Sequence, residues 1–143
     1  RIRIYHFLNL HTYKINTIGP LLVVQEFLRH LCQEPYSPGG KLPIISILSS
    51  KVGSIDDNGS GGSYIYRASK TAVNQIAKSL SIDLHGKVKV VLLHPGYVKT
   101  DMTNGNGLID TPQCVTGLLK AIEATGNDTP FRFVDYKADL IPW

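Results

Sequence analysis

The stretch of sequence that decides the fold runs from residue 44 to residue 96. It opens with the apolar run IISIL at residues 44–48 and closes with VKVVLLHPG at residues 88–96. Between these runs, residues 63–84 carry apolar side chains at a helical spacing, at Val73, Ile76, Ala77, Leu80 and Leu84. Short apolar runs of this kind are typical of strands that are buried on both faces. A strand, a helix and a second strand in this order predict a βαβ unit with parallel strands.

The same alternation of helix and strand continues on both sides of this unit. Before it, residues 20–32 form a predicted helix, which is followed by a Pro- and Gly-rich loop over residues 33–43. After it, residues 112–124 are predicted to form a helix and residues 131–134 a third strand. The sequence therefore predicts an α/β fold with about three helices and a parallel sheet of about three strands.

Composition excludes several classes of protein. The 143 residues, 43% of them apolar, are enough for one compact domain with a core. No apolar run approaches the roughly 18 residues that cross a bilayer, and the basic residues are scattered along the chain, so we expect neither a membrane nor a nucleic-acid partner. The two cysteines, Cys32 and Cys114, have no metal-site spacing. Their small number favours a reducing compartment, and we expect a cytoplasmic location and no bound metal.

Polar side chains collect at the predicted carboxyl ends of the strands, the edge where open α/β sheets bind ligands. Ser50 follows the first strand, and Tyr66 and Lys70 stand four residues apart at the start of the next helix, so they share one helix face. An ammonium beside a phenol favours the phenolate form, and such a phenol exchanges a proton with an alcohol or carbonyl oxygen. A serine hydroxyl can donate to the same oxygen. These three residues therefore form a candidate catalytic unit.

The residues alone leave alternatives open. A Tyr-x-x-x-Lys spacing arises often by chance, so a packed tyrosine beside a solvated lysine is the alternative to a catalytic pair. Ser49 is the alternative to Ser50, although neighbouring residues of a strand point to opposite faces. Leu108 and Ile109 are candidates for an apolar lid over a substrate, and ordinary packing is the alternative for both.

Four motifs together resemble the short-chain dehydrogenase/reductase family, over residues 16–143. They are Asn16-Thr-Ile-Gly-Pro20, Ile44-Ile-Ser-Ile-Leu-Ser-Ser50, Tyr66-Arg-Ala-Ser-Lys70 and His94-Pro-Gly-Tyr-Val-Lys-Thr-Asp-Met102. Residues 63–74 and the closing segment 131–143 look most like the C-factor and sniffer-like carbonyl reductases of this family. The resemblance implies the C-terminal portion of a Rossmann-like, doubly wound parallel sheet.

The resemblance also implies a function: an NAD(P)-dependent oxidoreductase of the carbonyl reductase type, acting on a small carbonyl or alcohol, with NADP slightly favoured over NAD. Tyr66 would be the general acid and base and would also contact the cofactor, and Lys70 would assist the ionisation of Tyr66 and bind the nicotinamide ribose. Ser50 would steady the substrate oxygen, and Asn16 would hold a water in the proton relay to Lys70. Further contacts to the nicotinamide end of the cofactor would come from Pro95, Gly96, Val98 and Thr100.

Pro20 gives a physical reason for the role of Asn16. In an α-helix the carbonyl of residue 16 accepts from the N–H of residue 20, which a proline lacks. That carbonyl is therefore free to hold a water. A cap at the start of the helix is the alternative for Asn16, and Thr17 is a second candidate cap.

The sequence contains no glycine-rich fingerprint of the kind that holds a dinucleotide pyrophosphate. We therefore expect residues 1–143 to be a single partial domain that lacks the N-terminal, cofactor-binding half. One alternative to the reductase is a truncated, inactive chain that acts only by packing against a partner or another copy. The resemblance implies a homo-oligomer through the helices that carry Asn16 and Tyr66. A second alternative is an extended-type epimerase or dehydratase, which shares the Tyr-x-x-x-Lys spacing.

Overall fold

The structure, a computed structural model, describes residues 6–32 and 40–143. Its helices are, in chain order, α1 (His6–Tyr13), α2 (Gly19–Leu31), α3 (Tyr64–Asp83) and α4 (Thr111–Glu123). Its strands are β1 (Ile44–Leu48), β2 (Lys89–His94) and β3 (Phe133–Asp135). The predicted α/β order is confirmed, whereas most of the loop predicted for residues 33–43 lies outside the described residues.

The three strands form one parallel sheet in the order β1-β2-β3, as the βαβ pattern predicts. Ile44 pairs with Lys89 at one end of the β1–β2 ladder, and Leu92 pairs with Phe133 in the shorter β2–β3 ladder. The strand β2 is central, and its residues 90–93 are all buried. The outer edge of β1 pairs with no other strand in the described part of the chain.

Alternate residues of β2 reach two cores, one on each face of the sheet. On one face Leu92 belongs to a cluster that includes Val73 of α3 and Val24 of α2. On the other face Val91 packs with Ala121 of α4. Because helices cover both faces, the central strand is apolar throughout instead of alternating with polar residues.

The connection between α1 and α2 differs from the sequence prediction. Residues Lys14–Ile18 form a π-helical turn, so the chain runs helically from α1 into α2. The first amide of α2 donates to the carbonyl of Lys14, five residues earlier, and this wider turn accommodates the missing N–H of Pro20. The prediction of Thr17 as a cap is wrong, because its hydroxyl donates to the Ser69 carbonyl of α3 at 2.9 Å.

In residues 6–32 and 40–143, no helix is long and apolar enough to cross a membrane. The same residues contain no group of three or more His, Cys, Asp or Glu side chains that could hold a metal ion.

Candidate active site

Tyr66 and Lys70 lie on the first two turns of α3 and are brought together as predicted. Residues 61–63 all have a positive φ and lead directly into α3. The Lys70 ammonium lies 5.9 Å from the centroid of the Tyr66 ring. It also donates a hydrogen bond of 3.2 Å to the carbonyl of Leu48, the last residue of β1. The pair is therefore fixed at the carboxyl end of the sheet.

The Lys70 ammonium is partly removed from water. Its burial lowers the pKa of Lys70 from the ordinary value, because desolvation disfavours the charged form. A lysine ammonium has three N–H donors, and one of them is bound to the Leu48 carbonyl. In the described part of the chain, the other two N–H donors of Lys70 have no hydrogen-bond acceptor and can bind hydroxyl groups of a ligand beside the Tyr66 ring.

The two serines after β1 have different environments, which bears on the choice between them. The Ser49 hydroxyl is buried and donates to the Asn74 side-chain oxygen at 2.5 Å. Ser50 is half-buried at the sheet edge. Its backbone carbonyl accepts a hydrogen bond from the Gly53 amide at 2.8 Å, which leaves its side-chain hydroxyl out of that contact. Because Ser49 is already committed to a structural hydrogen bond, Ser50 is the serine that can donate to a substrate.

The turn after Ser50 is packed directly on α3, through residues that the sequence did not single out. A Cβ atom on Gly53 would lie 2.8 Å from both the backbone carbon and the Cβ of Lys70. The Thr71 hydroxyl donates to the Gly53 carbonyl at 2.8 Å, and the Asn74 amide lies 3.4 Å from the same oxygen. Only a glycine permits this approach, so Gly53 sets the spacing between Ser50 and the Tyr66–Lys70 pair.

Asn16 lies in the π-helical turn, against the first turns of α3. Its side-chain amide donates to the Ser69 hydroxyl at 3.1 Å, and that hydroxyl donates to the Tyr66 carbonyl at 2.8 Å. The side chain of Asn16 is thus bound to Ser69, the residue immediately before Lys70 in the sequence. The water-holding role of its backbone carbonyl stays a prediction.

The turn after β2 contains the residues predicted to contact a nicotinamide. Gly96 has a left-handed φ of 87°, and the Cys114 thiol donates to the Pro95 carbonyl at 3.2 Å. Burial raises the pKa of Cys114, which keeps this thiol protonated as a donor. Thr100 is exposed at the start of a short 3-10 turn. The Val98 side chain packs in a small core cluster and its carbonyl accepts from the Thr103 hydroxyl at 2.9 Å, so its amide is the part left for a ligand.

The two lid candidates have different environments. Ile109 is buried in the same cluster as Val98 and Cys114, so the packing alternative is confirmed for it. Leu108 is 85% exposed, and its amide is held by the Tyr97 carbonyl at 2.8 Å. Contact between Leu108 and a substrate stays a prediction.

His94 ends β2 beside this edge. Its Nδ1 atom is buried and has no hydrogen-bond partner among the described residues. Burial is the largest cause that lowers the pKa of His94, and the carboxylate of Asp135 on β3 acts in the opposite direction. The ring is therefore neutral near pH 7.

The predicted site residues thus lie around one edge of the sheet, where the carboxyl ends of parallel strands meet. Ser50 follows β1, Pro95 and Gly96 follow β2, and Lys70 reaches the end of β1 from α3. A phenol, an ammonium and a free serine hydroxyl at such an edge can transfer a proton to an oxygen that gains negative charge.

Comparison with known proteins gives matches over most of the chain. The family described as short chain dehydrogenase matches residues 10–108. The chain is 38% identical over 133 residues to the C-signal protein of Myxococcus xanthus, covering 92% of this chain and 76% of that protein. Its structure matches the carbonyl reductase Sniffer of D. melanogaster with a TM-score of 0.89 and 34% identity, over 100% of this chain and 60% of that one.

A second solved structure matches with a cofactor present. The NADPH-bound carbonyl reductase from chicken fatty liver gives a TM-score of 0.77 and 32% identity, over 92% of this chain and 55% of that one. The chain therefore spans a little over half the length of these two carbonyl reductases.

Proposed function

The chain belongs to the short chain dehydrogenase family, and on this premise we propose that its residues reduce a small carbonyl compound with NADPH. The observation that carries the proposal is the position of the Lys70 ammonium, between the Leu48 carbonyl and the Tyr66 ring. Two structurally similar proteins are named as carbonyl reductases. One of them holds NADPH, which favours NADP over NAD.

Tyr66 is the proton donor in this proposal. When a hydride reaches the carbonyl carbon, negative charge develops on the carbonyl oxygen, and the Tyr66 hydroxyl gives that oxygen its proton. The nearby Lys70 ammonium stabilises the phenolate that remains. Ser50 donates a hydrogen bond to the same oxygen and so stabilises the negative charge that develops there in the transition state.

Asn16 takes part by restoring the proton. Its backbone carbonyl lies in the π-helical turn and would hold a water that passes a proton through Lys70 to Tyr66. The hydrogen bonds from Asn16 to Ser69, and from Ser69 to the Tyr66 carbonyl, support this placement. They tie the turn to the helix that carries both partners of the relay.

The residues present fit the nicotinamide end of the cofactor, and bound NADPH would supply the hydride. Lys70 keeps N–H donors for the ribose hydroxyls. Pro95, Gly96 and Thr100 line the turn after β2, and the Cys114 thiol fixes that turn through the Pro95 carbonyl. The backbone of Val98 belongs to the same turn.

Titration with NADPH and NADH, followed by nicotinamide fluorescence, tests the proposal. In a protein that carries this chain together with a glycine-rich cofactor half, we expect NADPH to bind, and Lys70→Gln to weaken its binding by about tenfold or more, since hydrogen bonds to a charged group contribute about 1.5–3 kcal/mol. Lys78→Gln is the matched control: Lys78 lies two turns further along α3, beside the Phe131 ring. Absence of NADPH binding at millimolar concentration, or equal weakening by both substitutions, contradicts the proposal.

A second candidate function, self-association without catalysis, is favoured by one surface. The outer edge of β1 and the adjoining face of α2 form an apolar groove, defined here as the β1–α2 groove. Its exposed lining includes Phe27, which is 59% exposed, Val23 and Leu48. An open strand edge beside exposed apolar side chains is a site at which another chain can pair.

A measurement of the oligomeric state tests this second function. If copies associate through the β1–α2 groove, Phe27→Lys should shift the chain to monomer in sedimentation velocity, because it places a charge on the apolar contact. Leu119→Lys is the control, since Leu119 is a similarly exposed apolar residue on α4. A wild-type chain that is monomeric across a range of concentrations rules this function out.

A further inference from the structure

Residues 51–63 connect Ser50 to α3 and form the serine–tyrosine loop. Its internal hydrogen bonds join residues only two or three positions apart, as from the Ser54 amide to the Lys51 carbonyl and from the Gly59 amide to the Asp57 carbonyl. The Ser54 hydroxyl accepts from the Asp57 amide at 3.0 Å, and the Lys51 ammonium lies 3.3 Å from the Asp57 carboxylate. Both partners of that ion pair are substantially exposed, so the pair adds little stability. These local contacts shape the turns of the loop, whereas its position relative to α3 depends on contacts with residues outside it.

Arg67, the residue after Tyr66, holds the loop at both ends. Its guanidinium donates three hydrogen bonds: to the Val52 carbonyl at 3.1 Å, to the Gly61 carbonyl at 3.2 Å and to the Ser60 hydroxyl at 2.9 Å. Val52 is two residues after Ser50, whereas residues 60 and 61 lead into α3. A planar guanidinium has donors that point in several fixed directions, so one side chain can bind both ends at once.

Trp143 holds the middle of the loop. Its backbone oxygen accepts from the Asp56 amide at 2.8 Å. Its ring stacks on Phe131 and Phe133, with ring centroids 5.3 and 6.1 Å apart. The preceding residues return alongside β3, where the Ile141 amide donates to the Phe133 carbonyl at 2.9 Å. The loop is thereby fixed to the core of the sheet.

We propose that Arg67 and Trp143 are positioning residues that together hold the serine–tyrosine loop closed and so fix Ser50 relative to Tyr66. Ser50 is anchored on one side by β1 and on the other side by this loop, whose start is already bound to α3 where the Thr71 hydroxyl donates to the Gly53 carbonyl. Arg67 and Trp143 add contacts that hold the remainder of the loop. The hydrogen bond from Arg67 to the Val52 carbonyl and the one from the Asp56 amide to Trp143 keep the loop from moving away from Tyr66. The catalytic meaning of this positioning rests on the proposed function, whereas the closure of the loop does not.

Hydrogen exchange at the Asp56 amide tests the closure without any cofactor. We expect Arg67→Ala to raise exchange there by at least about tenfold, since it removes charge-assisted hydrogen bonds, and Arg67→Lys to restore protection only in part, because one ammonium cannot reach all three acceptors. Lys120→Ala, which removes an exposed cation from α4, is the control. Unchanged exchange at Asp56 in Arg67→Ala overturns the proposal.

The aromatic contact gives a second, independent readout. Trp143→Ala should raise Asp56 exchange by about three- to tenfold, since stacked aromatic pairs contribute about 0.5–1.5 kcal/mol, whereas Trp143→Phe should keep the protection. Amides of β2, such as those of Val91 and Leu92, should keep wild-type exchange in every variant. If β2 loses protection together with the loop, the residues serve general stability, and the proposal is wrong.

Trp143 is the single tryptophan of the chain, so its fluorescence reports whether the two contacts act on one loop. Arg67→Ala should increase quenching of the Trp143 emission by acrylamide, and Lys120→Ala should not. Equal quenching in wild type and Arg67→Ala shows that the contacts are independent, which contradicts joint closure.

In reductase assays, Arg67→Ala should lower kcat while the KM for NADPH stays constant. A fall in NADPH affinity instead would place Arg67 in cofactor binding and reject the positioning role.

Discussion

Replacement of Tyr66 by phenylalanine is expected to lower carbonyl reductase turnover by about 10²–10⁴-fold, the usual contribution of a positioned general acid. The change removes one hydroxyl and leaves the ring on which the Lys70 ammonium lies. NADPH affinity should therefore change less than turnover, because the Tyr66 ring and the other proposed cofactor contacts, on Lys70 and on the turn after β2, are retained. Turnover with a panel of small carbonyl compounds, together with nicotinamide fluorescence, measures both quantities.

Tyr64→Phe is the matched control for this substitution. Tyr64 lies two residues earlier, at the start of the same helix, and is 59% exposed. Both substitutions remove a phenolic hydroxyl from the first turn of α3, but of the two rings only that of Tyr66 has the Lys70 ammonium over it. If Tyr66→Phe retains wild-type turnover, or if both variants lose it equally, the assignment of Tyr66 as the proton donor fails.

The substitution Gly117→Ala is expected to lower the free energy of unfolding by about 2–3 kcal/mol, the upper part of the range for overpacking. In an exposed helix the same change usually stabilises by about 1 kcal/mol, because alanine has the higher helix propensity. Gly117 lies in the middle of α4, where an added Cβ would overlap the backbone oxygen of Tyr136 and lie 3.0 Å from its carbonyl carbon. Since backbone atoms cannot move aside easily, the sign of the effect reverses.

Urea unfolding followed by circular dichroism measures this change. Gly59→Ala serves as the comparison, because a Cβ at Gly59 meets no atom within 4 Å. It should alter the free energy of unfolding by no more than about 0.5 kcal/mol, the usual range for surface substitutions. A stability gain in Gly117→Ala would show that α4 does not pack on the Tyr136 backbone as described.

The helices and strands of residues 44–134 could be predicted because each has its own periodicity. The run at residues 44–48 is confirmed as β1 without change, and the other predicted boundaries shift by no more than two residues. The helix α1 and the π-helical turn at Lys14–Ile18 were not predicted. Nothing in the residues of α1 distinguishes a helix clearly, and the turn forms where Pro20 lacks its N–H and Thr17 meets Ser69 of α3.

In the candidate site, too, some features could be predicted from the sequence and others could not. Tyr66 and Lys70 could be paired from their spacing, because four residues make one helical turn. The preference for Ser50 over Ser49 gains support only from the hydrogen bond between Ser49 and Asn74, 25 residues later. The roles of Gly53 and Arg67 likewise depend on contacts that no periodicity encodes.

By itself, the sequence determined the α/β order, the parallel sheet and the pairing of Tyr66 with Lys70, since these depend on interactions within a few residues. Only the tertiary structure decided which serine is free, how closely the serine–tyrosine loop approaches α3, and that Trp143 contacts Asp56. The physical reason is that local periodicity reflects backbone geometry, whereas these contacts join residues distant in the chain. Their distances are fixed only when both faces of the sheet are packed.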